Sequence, residues 1–353
     1  MKALVYTGVE AMAYRDLPDP VPGPGEDLVR IHAVGICGSD MHAWLGHDDR
    51  RPAPLILGHE AAGVVVGGPD AGRRVTVNPL VTCQDCDFCR SGRTNLCPRR
   101  QIISMPPRPG AFAHYVAMPR RNLVTVPDEV PLDRAALAEP LACGWHAVRL
   151  GQKALDAPLA GLTCLVIGGG AIGTGAALAL RAQGAGDITL IEPGAARRAA
   201  LAGIEGITVL GSVDDRPELR GRCHLVIDGV GFAATRAEAS ACVRPGGQIV
   251  HIGLGEDRGG LDIRRMTLQE IGFIGTYTYT EDDFRATAVA RACGCDNVVE
   301  CKAEDTRAAL ETALAGDEMT VIVCKCASGN IPVPVITMDP VSIRDRFMAA
   351  VRA

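Results

Sequence analysis

The sequence of 353 residues lacks a long run of basic residues and lacks any apolar run of membrane-spanning length. Its net charge is -5, from 36 basic and 41 acidic residues. Nucleic-acid-binding domains carry basic patches, so nucleic acid is not expected as a partner. A transmembrane helix needs about 20 consecutive apolar residues, so no membrane span is expected. The segment Met1-Lys2-Ala3-Leu4-Val5 leads directly into a strand-like pattern, which predicts no secretory signal.

The chain also has little need of disulfide bonds. A disulfide framework is typical of small secreted domains, whereas 353 residues suffice for two domains with separate hydrophobic cores. The 14 cysteines therefore need another explanation. Some of them have a metal-binding spacing that requires reduced thiols, which favours a reducing cytoplasm as the location.

The most informative feature present is a group of four cysteines with the spacing C-x2-C-x2-C-x7-C: Cys83, Cys86, Cys89 and Cys97. Four thiolates at this spacing can surround one Zn²⁺ tetrahedrally. An all-cysteine site has no open coordination position, so it is structural. The alternative is a loop with disulfides or free thiols. The spacing favours a structural zinc lobe over residues 83–97.

A second set of metal-binding residue types is spread over three motifs: Gly35-Ile36-Cys37, Gly58-His59-Glu60 and Glu139-Pro140-Leu141. The set combines a thiolate, an imidazole and carboxylates. Such a mixture is typical of a catalytic zinc site that keeps one position for substrate.

The pattern along the chain predicts two kinds of domain. Residues 1–149 contain short apolar runs between turns, with strands expected over 28–34, 61–66, 74–77 and 112–116. From about residue 150 strands alternate with helices, with strands expected over 165–167, 188–191, 225–227, 248–252 and 273–277, and a helix over 172–183. This alternation predicts an α/β domain over residues 150–284, a parallel sheet with helices on both faces.

The turn after the first of these strands has the G-x-G-x-x-G spacing, with Gly168, Gly170, Ile172 and Gly173 as candidate contacts to a dinucleotide. Glycines let the backbone approach a pyrophosphate at a helix N-terminus. The motif alone is equally compatible with a plain tight turn. Glu192 ends the next strand, 19 residues after Gly173. A carboxylate there can bind both ribose hydroxyls and repel a 2′-phosphate, which favours NAD over NADP.

Arg197 and Arg198 follow Glu192 closely and weaken this preference. Arg197 is the residue available to meet a 2′-phosphate. The alternative for both arginines is a solvated helix face.

These motifs together resemble the zinc-dependent medium-chain alcohol dehydrogenases, in particular the sorbitol (polyol) dehydrogenase branch. The resemblance covers residues 1 to about 284 and rests on segments 35–42, 57–63, 83–97, 110–116, 139–142 and 168–173. It implies a GroES-like, β-rich catalytic domain joined to a Rossmann domain, two zinc ions per chain, and NAD as cofactor. It further implies hydride transfer between a secondary alcohol or polyol and NAD.

The resemblance also implies the ligands of the catalytic zinc. Cys37 and His59 would bind the metal, and Glu60 or a water molecule would complete the set. Glu139 stands where the polyol branch has a glutamate and the ethanol-type enzymes a second cysteine. Cys143, four residues further on, is interpreted as a small core residue, with a metal ligand as the alternative.

The same resemblance assigns the proton path. Ser39 matches the hydroxyl that passes the substrate proton outward, and His42 matches the relay histidine. Asp40 would orient His59, as acceptors commonly do for a zinc-bound imidazole. Its alternative role is a helix cap.

After about residue 284 the dehydrogenase pattern stops. Residues 285–353 resemble the C-terminal end of thiamine-diphosphate-dependent sulfopyruvate and phosphonopyruvate decarboxylases, on segments 290–294, 320–325 and 339–347. No thiamine-binding segment accompanies them. The expected order is a helix over 284–293, a strand over 297–301, a helix over 305–315, a strand over 320–325, then an extended arm and a short helix. The cysteines of this atypical tail, interpreted as buried apolar residues rather than ligands, are Cys293, Cys295, Cys301, Cys324 and Cys326.

Three functions are compatible with the sequence. The first is an NAD-linked dehydrogenase of a secondary alcohol or polyol, and the second an aldehyde reductase working in the opposite direction. The third is a zinc-bound binding protein whose catalysis is impaired by the tail. Self-association as a homodimer or homotetramer is expected through the apolar edge strand over 273–277.

Overall fold

The computed structural model describes residues 1–289, 298–302 and 321–325. These residues form two compact units. The first contains Met1–Glu139 together with the strands Val298–Lys302 and Val321–Lys325, and the second contains residues 140–289. The division falls between Glu139 and Pro140, ten residues before the boundary expected after residue 149.

The earlier division has a packing reason. Helix Ala138–Leu155 lies almost wholly in the second unit, where Gly144 faces the backbone of helix Ala171–Ala182. A Cβ atom on Gly144 would lie 2.5 Å from the backbone nitrogen of Ala176. Only glycine allows the two helices to approach this closely, so the first of them packs with the second unit.

The first unit is built from short antiparallel strands: β1 (Lys2–Gly8), β2 (Ala11–Asp16), β3 (Glu26–Gly35), β4 (Leu55–Ile56), β5 (Glu60–Val66), β6 (Arg74–Val77), β7 (Leu80–Val81), β8 (Gln101–Ile102), β9 (Tyr115–Pro119) and β10 (Leu123–Thr125). Its helices are α1 (Gly38–Trp44), α2 (Asp87–Arg90) and α3 (Leu132–Ala135), with single turns of 3₁₀ helix at Thr94–Leu96 and Arg120–Asn122. The main sheet has the order β10-β6-β5-β3-β9, and smaller sheets have the orders β2-β1-β4 and β7-β8.

The strands expected over 28–34, 61–66 and 74–77 are confirmed, but the one expected over 112–116 is not. Strand β9 begins at Tyr115, three residues later. Phe112 bonds to two different segments instead, because its N–H donates to the Leu57 carbonyl at 2.9 Å and its carbonyl accepts from the Leu4 N–H at 2.8 Å. Hydrogen bonds to two separate segments cannot be predicted from the local sequence pattern.

The second unit is a six-stranded parallel sheet in the order β13-β12-β11-β14-β15-β16. Its strands are β11 (Thr163–Ile167), β12 (Asp187–Ile191), β13 (Thr208–Leu210), β14 (Cys223–Asp228), β15 (Val243–His251) and β16 (Gly272–Gly275). Its helices are α4 (Ala138–Leu155), α5 (Ala171–Ala182), α6 (Ala195–Leu201), α7 (Ala233–Cys242), α8 (Ile263–Leu268) and α9 (Glu281–Val289), with 3₁₀ turns at Val213–Asp215 and Pro217–Leu219. Numbered within the sheet, the order is 3-2-1-4-5-6, that of a dinucleotide-binding fold. The predicted doubly wound sheet is confirmed, although its last strand ends at Gly275 rather than at residue 277.

Of the predicted tail elements, strands β17 (Val298–Lys302) and β18 (Val321–Lys325) are present and pair in parallel. Helix α9 begins at Glu281 rather than at residue 284. The helix over 305–315, the arm over 327–353 and the final helix lie outside the described residues, as do Cys293, Cys295 and Cys326. Within the described ranges, no helix is long and apolar enough to cross a membrane.

Helix α9 is attached to α4 through a buried carboxylate. Asp283 accepts hydrogen bonds from His146 Nδ1 at 2.8 Å, Arg149 Nε at 2.6 Å and the Thr280 hydroxyl at 2.6 Å. Burial alone would raise the pKa of Asp283, but these hydrogen bonds hold that pKa below its usual range. The lowered pKa means that the folded state favours the ionised carboxyl, so this network stabilises the fold.

We expect Asp283→Asn to reduce the free energy of unfolding by about 2–4 kcal/mol at pH 7, because the substitution leaves buried donors without a charged acceptor. The contribution of a carboxyl with a lowered pKa is complete above its unfolded value, about 3.9, and is lost as the pH falls further. The difference between wild type and variant should therefore narrow below about pH 4. Thermal unfolding at several pH values measures this, with the exposed neighbour Asp282→Asn as control. Equal losses for both variants would contradict the interpretation.

Candidate active site

The pairing of strands β3 and β5 brings two chain-distant motifs together. In this antiparallel pair Gly35 lies opposite Glu60. Cys37 follows the end of β3 by two residues, and His59 immediately precedes β5. A β-bulge between Ile31 and Ala33 shifts the register upstream of this point. Because the strands are antiparallel, the end of one and the start of the other meet at the same edge of the sheet.

Cys37, His59 and Glu60 form one of two groups of metal-ligand types among the described residues. Their ligand atoms all lie within 4.8 Å of one another. Gly35 makes room for the carboxylate, since a Cβ atom at that position would lie 2.1 Å from Glu60 Oε2. One thiolate, one imidazole and one carboxylate fit zinc and leave a fourth position for an exchangeable ligand.

Glu139 is buried but is not part of this close group in the described structure. It acts on the group through its charge. Burial, and after it the negative charge of Glu139, raise the pKa of the Glu60 carboxyl to about 7. Two buried carboxyl groups that repel each other are stabilised by a cation, which is the chemistry of a metal site.

Asp40 has contacts that fit both roles considered for it. Its Oδ2 accepts from the Cys37 N–H at 3.0 Å, which caps helix α1. Its Oδ1 accepts from the Gly58 N–H at 3.0 Å and lies 3.5 Å from His59 Nδ1. Burial alone would lower the pKa of His59, but hydrogen bonds to Asp40 and Cys37 raise it well above its ordinary value. One carboxylate thus fixes the helix, the loop at Gly58 and the imidazole together.

Ser39 and His42 both lie on α1, the helix whose N-cap is Cys37. The Ser39 hydroxyl accepts a hydrogen bond from Arg51 Nη2 at 3.4 Å. The His42 ring is exposed, and its centroid lies 6.2 Å from that of His47. Sequence reasoning missed Arg51, because no motif marks an arginine in the loop before β4.

The four-cysteine group is the second cluster of metal-ligand types, again with its ligand atoms within 4.8 Å of one another. Cys83 Sγ lies 3.8 Å from Cys89 Sγ and 3.4 Å from Cys97 Sγ. Four sulfurs bound to one zinc at about 2.3 Å are about 3.8 Å apart in a tetrahedron. Helix α2 supports the group, since Cys86 Sγ at its N-cap accepts from the Cys89 N–H at 3.5 Å. That bond, together with hydrogen bonds from the other three cysteine side chains, lowers the pKa of Cys86 to about 7, which favours the thiolate that binds zinc.

The glycine turn in the second unit has the geometry of a pyrophosphate cradle. Gly168 has a φ of +99°, in the left-handed region that favours glycine. A Cβ atom on Gly173 would lie 1.8 Å from the Gly168 carbonyl oxygen, so no larger residue fits there. Gly170 is the N-cap of α5, and a Cβ atom on it would meet nothing within 4 Å. Ile172, half-buried, follows in the first turn of the helix. Small residues and free N–H groups at a helix N-terminus fit a dinucleotide phosphate.

Glu192 lies directly beside this turn, at the end of β12. It is buried, and its Oε2 accepts from the Gly169 N–H at 2.9 Å, while its Oε1 accepts from the Gly194 N–H at 2.7 Å. Arg197 Nη1 lies 3.7 Å from Glu192 Oε2. Arg198 is occupied by the carbonyls of Glu192 and Pro193. The carboxylate therefore also holds the glycine turn in shape.

Three comparisons with known proteins agree with this arrangement. The family model "Alcohol dehydrogenase GroES-like domain" matches residues 23–128, and "Zinc-binding dehydrogenase" matches residues 171–292. The chain is 33% identical to L-galactonate-5-dehydrogenase of Escherichia coli (strain K12), over 80% of this chain and 85% of that protein. It is 33% identical to sorbitol dehydrogenase of Bacillus subtilis (strain 168), over 79% of this chain and 82% of that protein.

Solved structures share the fold along almost the whole chain. A zinc-binding dehydrogenase from Sinorhizobium meliloti 1021 bound to NADP is 27% identical, with a TM-score of 0.77 and coverage of 92% of this chain and 99% of that one. Acetophenone reductase from Geotrichum candidum NBRC 4597 in complex with NAD is also 27% identical, with a TM-score of 0.77 and coverage of 92% and 97%.

The chain belongs to the zinc-binding, GroES-like alcohol dehydrogenase family. It is an enzyme of the dehydrogenase class, as the sequence predicted, and the predicted pairing of a GroES-like domain with a Rossmann domain is confirmed.

Proposed function

We propose that this protein is a zinc-dependent, NAD-linked dehydrogenase of a secondary alcohol or polyol. The observation that carries the proposal is the mixed group of Cys37, His59 and Glu60, which leaves a coordination position for substrate. The closed four-cysteine group serves structure, and the glycine turn serves the cofactor. Both curated relatives support a polyhydroxylated substrate, since one is named for a sugar acid and the other for a sugar alcohol.

We assign roles in the reaction to Ser39, His42, Asp40 and Glu139. When bound, zinc supplies Lewis acidity toward the alcohol oxygen, and the nicotinamide supplies a hydride acceptor. Ser39 receives the proton that the alcohol loses, and the exposed His42 passes it to solvent. Asp40 orients His59, and Glu139 contributes negative charge beside Glu60. In the opposite direction the same residues would return a proton to the oxygen of a reduced carbonyl. An aldehyde reductase would therefore use the same site.

Metal content and turnover test the proposal together. Freshly purified protein should hold two zinc ions per chain and reduce NAD with at least one member of a panel of polyols and secondary alcohols. Reduction of the matching ketones or aldehydes alone would favour the reductase. Protein that is folded and holds two zinc ions but shows no turnover in either direction would favour the zinc-bound binding protein. At most one zinc in folded protein would refute the two-site assignment.

NAD is the preferred cofactor in this proposal because the negative charge of Glu192, which lies against the glycine turn, would repel a 2′-phosphate. We expect Glu192→Ala to reduce the ratio of kcat/KM for NAD to kcat/KM for NADP by about tenfold or more. Arg197 would then be able to bind the 2′-phosphate of NADP. Glu192→Gln is the matched control, since it keeps the size and loses the charge. Because Glu192 also holds Gly169, both variants should raise the KM for NAD. Equal kcat/KM for NAD and NADP in the wild type would contradict this role.

Self-association through strand β16 completes the proposal. This strand is at one edge of the parallel sheet, and its Phe273 is 37% exposed. A sheet edge leaves backbone N–H and C=O groups unpaired, and a second copy can pair with them symmetrically. Sedimentation at micromolar concentration should show a homodimer or a homotetramer. The Phe273→Asp variant should contain a larger fraction of monomer. A wild-type monomer would contradict edge pairing. The cytoplasm is the proposed location, because five of the seven residues in the two metal-ligand groups are cysteines, which bind zinc only as reduced thiols.

A further inference from the structure

Ser104 has a backbone conformation that serine seldom adopts. Its φ is +66°, in the left-handed region, and its side chain is completely buried. A non-glycine residue held there costs about 1–3 kcal/mol and persists only when its surroundings fix it. Its role must therefore lie in the hydroxyl that glycine would lack.

That hydroxyl lies against His59. Ser104 Oγ is 3.3 Å from His59 Nδ1, and Asp40 Oδ1 is 3.5 Å from the same nitrogen. When the other ring nitrogen binds a metal, Nδ1 carries the proton and donates it. Ser104 is the nearer of the two acceptors, and Asp40 already accepts from two backbone N–H groups.

Arg51 fixes the other end of this residue. It is 3% exposed, and its Nε donates to the Ser104 carbonyl at 3.0 Å. Its Nη2 donates to Ser39 Oγ at 3.4 Å, and its Nη1 forms a short ion pair with Asp48. A guanidinium has several donors in a rigid plane, so one side chain can hold all three partners.

We propose that Ser104 and Arg51 form a positioning bridge between the metal ligand His59 and the relay hydroxyl of Ser39. Ser104 acts together with Asp40 and orients the imidazole so that its second nitrogen faces the metal, as outer partners of zinc-bound histidines do. Arg51 occupies one lone pair of the Ser39 hydroxyl, so that hydroxyl accepts with the other and directs its own proton away from the guanidinium. The bridge rests on the proposed function, since it assigns roles within the same alcohol site.

Removal of the hydroxyl alone tests the first half of the bridge. Ser104→Gly keeps the positive φ accessible, so the variant should fold at least as well as wild type. With a chelator in excess, the zinc held by His59 should leave about tenfold faster than in wild type, while the four-cysteine zinc stays. Elemental analysis of protein samples over time measures both. Glu270→Gly is the matched control, because Glu270 also has a positive φ, is exposed and lies in the other unit.

A conservative change at the guanidinium tests the second half. Arg51→Lys keeps the charge but cannot reach three partners in one plane. It should accelerate zinc loss as Ser104→Gly does, and lower kcat about tenfold while KM changes by about twofold or less. The double variant should lose zinc no faster than the faster single variant, because both act along one path.

The possible outcomes distinguish failure of the proposed bridge from failure of the proposed function. Two zinc ions in Ser104→Gly that resist the chelator as long as those of wild type would refute the bridge. Rapid zinc loss in Ser104→Gly but not in Arg51→Lys would also refute it, since Ser104 would then act alone. Wild-type protein with two zinc ions but no turnover would overturn the proposed function instead, and zinc loss in the variants would still support the bridge.

Discussion

Cys37→Ser should abolish turnover while leaving NAD affinity nearly unchanged. A serine hydroxyl is not ionised near neutral pH and is a poor replacement for a zinc-bound thiolate. The variant should therefore hold one zinc ion instead of two. The residues assigned to the cofactor, from Gly168 to Glu192, all belong to the second unit, so fluorescence titration with NADH should give a dissociation constant close to that of wild type.

His59→Ala should have the same effect by removing the imidazole ligand. The matched control for Cys37→Ser is Cys143→Ser, since Cys143 is a buried cysteine that was interpreted as a core residue rather than a ligand. That control should keep both zinc ions and most of the activity. A near-wild-type rate in Cys37→Ser or His59→Ala would show that zinc at this group does not take part in the reaction. Loss of activity in Cys143→Ser together with loss of one zinc ion would instead add Cys143 to the ligands.

Cys86→Ser should cause the largest loss of stability of any single change considered for this chain. The free energy of zinc binding at such a site, on the order of 10 kcal/mol, is coupled to folding of the surrounding chain. Cys86 also caps helix α2 by accepting from the Cys89 N–H. We expect a variant that accumulates poorly, holds one zinc ion per chain, and unfolds at a much lower temperature than wild type.

The exposed neighbour Asp87→Ala is a suitable control for Cys86→Ser, because Asp87 pairs with Arg90 at the surface and an exposed ion pair contributes about 1 kcal/mol or less. Calorimetry with parallel zinc analysis measures the effect. Wild-type stability in a Cys86→Ser variant with two zinc ions would rule out a structural metal at this lobe.

The stabilities of the two metal groups should differ for a chemical reason. Four thiolates close the coordination shell of the lobe, whereas Cys37, His59 and Glu60 leave one position to exchange. A chelator should therefore first remove the zinc bound by Cys37, His59 and Glu60. The zinc of the four-cysteine lobe should leave only when the protein unfolds. The order also distinguishes loss of activity from loss of structure in every variant described above.

Local sequence determined much of this protein. The spacing of the four cysteines predicted a cluster, because cysteines separated by two residues are already close together in a tight turn. The glycine turn could be recognised because Gly168 and Gly173 meet backbone restrictions set within six residues of chain. The parallel sheet followed from alternating strands and helices, and its strand order agrees with that expectation. The tail beyond residue 284 stays a prediction, except for α9 and the pair of strands β17 and β18.

Tertiary structure alone decided the rest. The domain division at Glu139 depends on how closely α4 approaches α5 at Gly144, a contact between residues that are far apart in sequence. The double role of Asp40 depends on a loop 18 residues away. Neither Ser104 nor Arg51 carries a motif, and their meeting with His59 and Ser39 arises only after β3, β5 and the intervening loops have packed. The spacing of residues along the chain identifies the candidate metal ligands. The partners that orient these ligands are determined by tertiary packing, because a hydrogen bond needs two atoms within about 3 Å in space, whatever their separation along the chain.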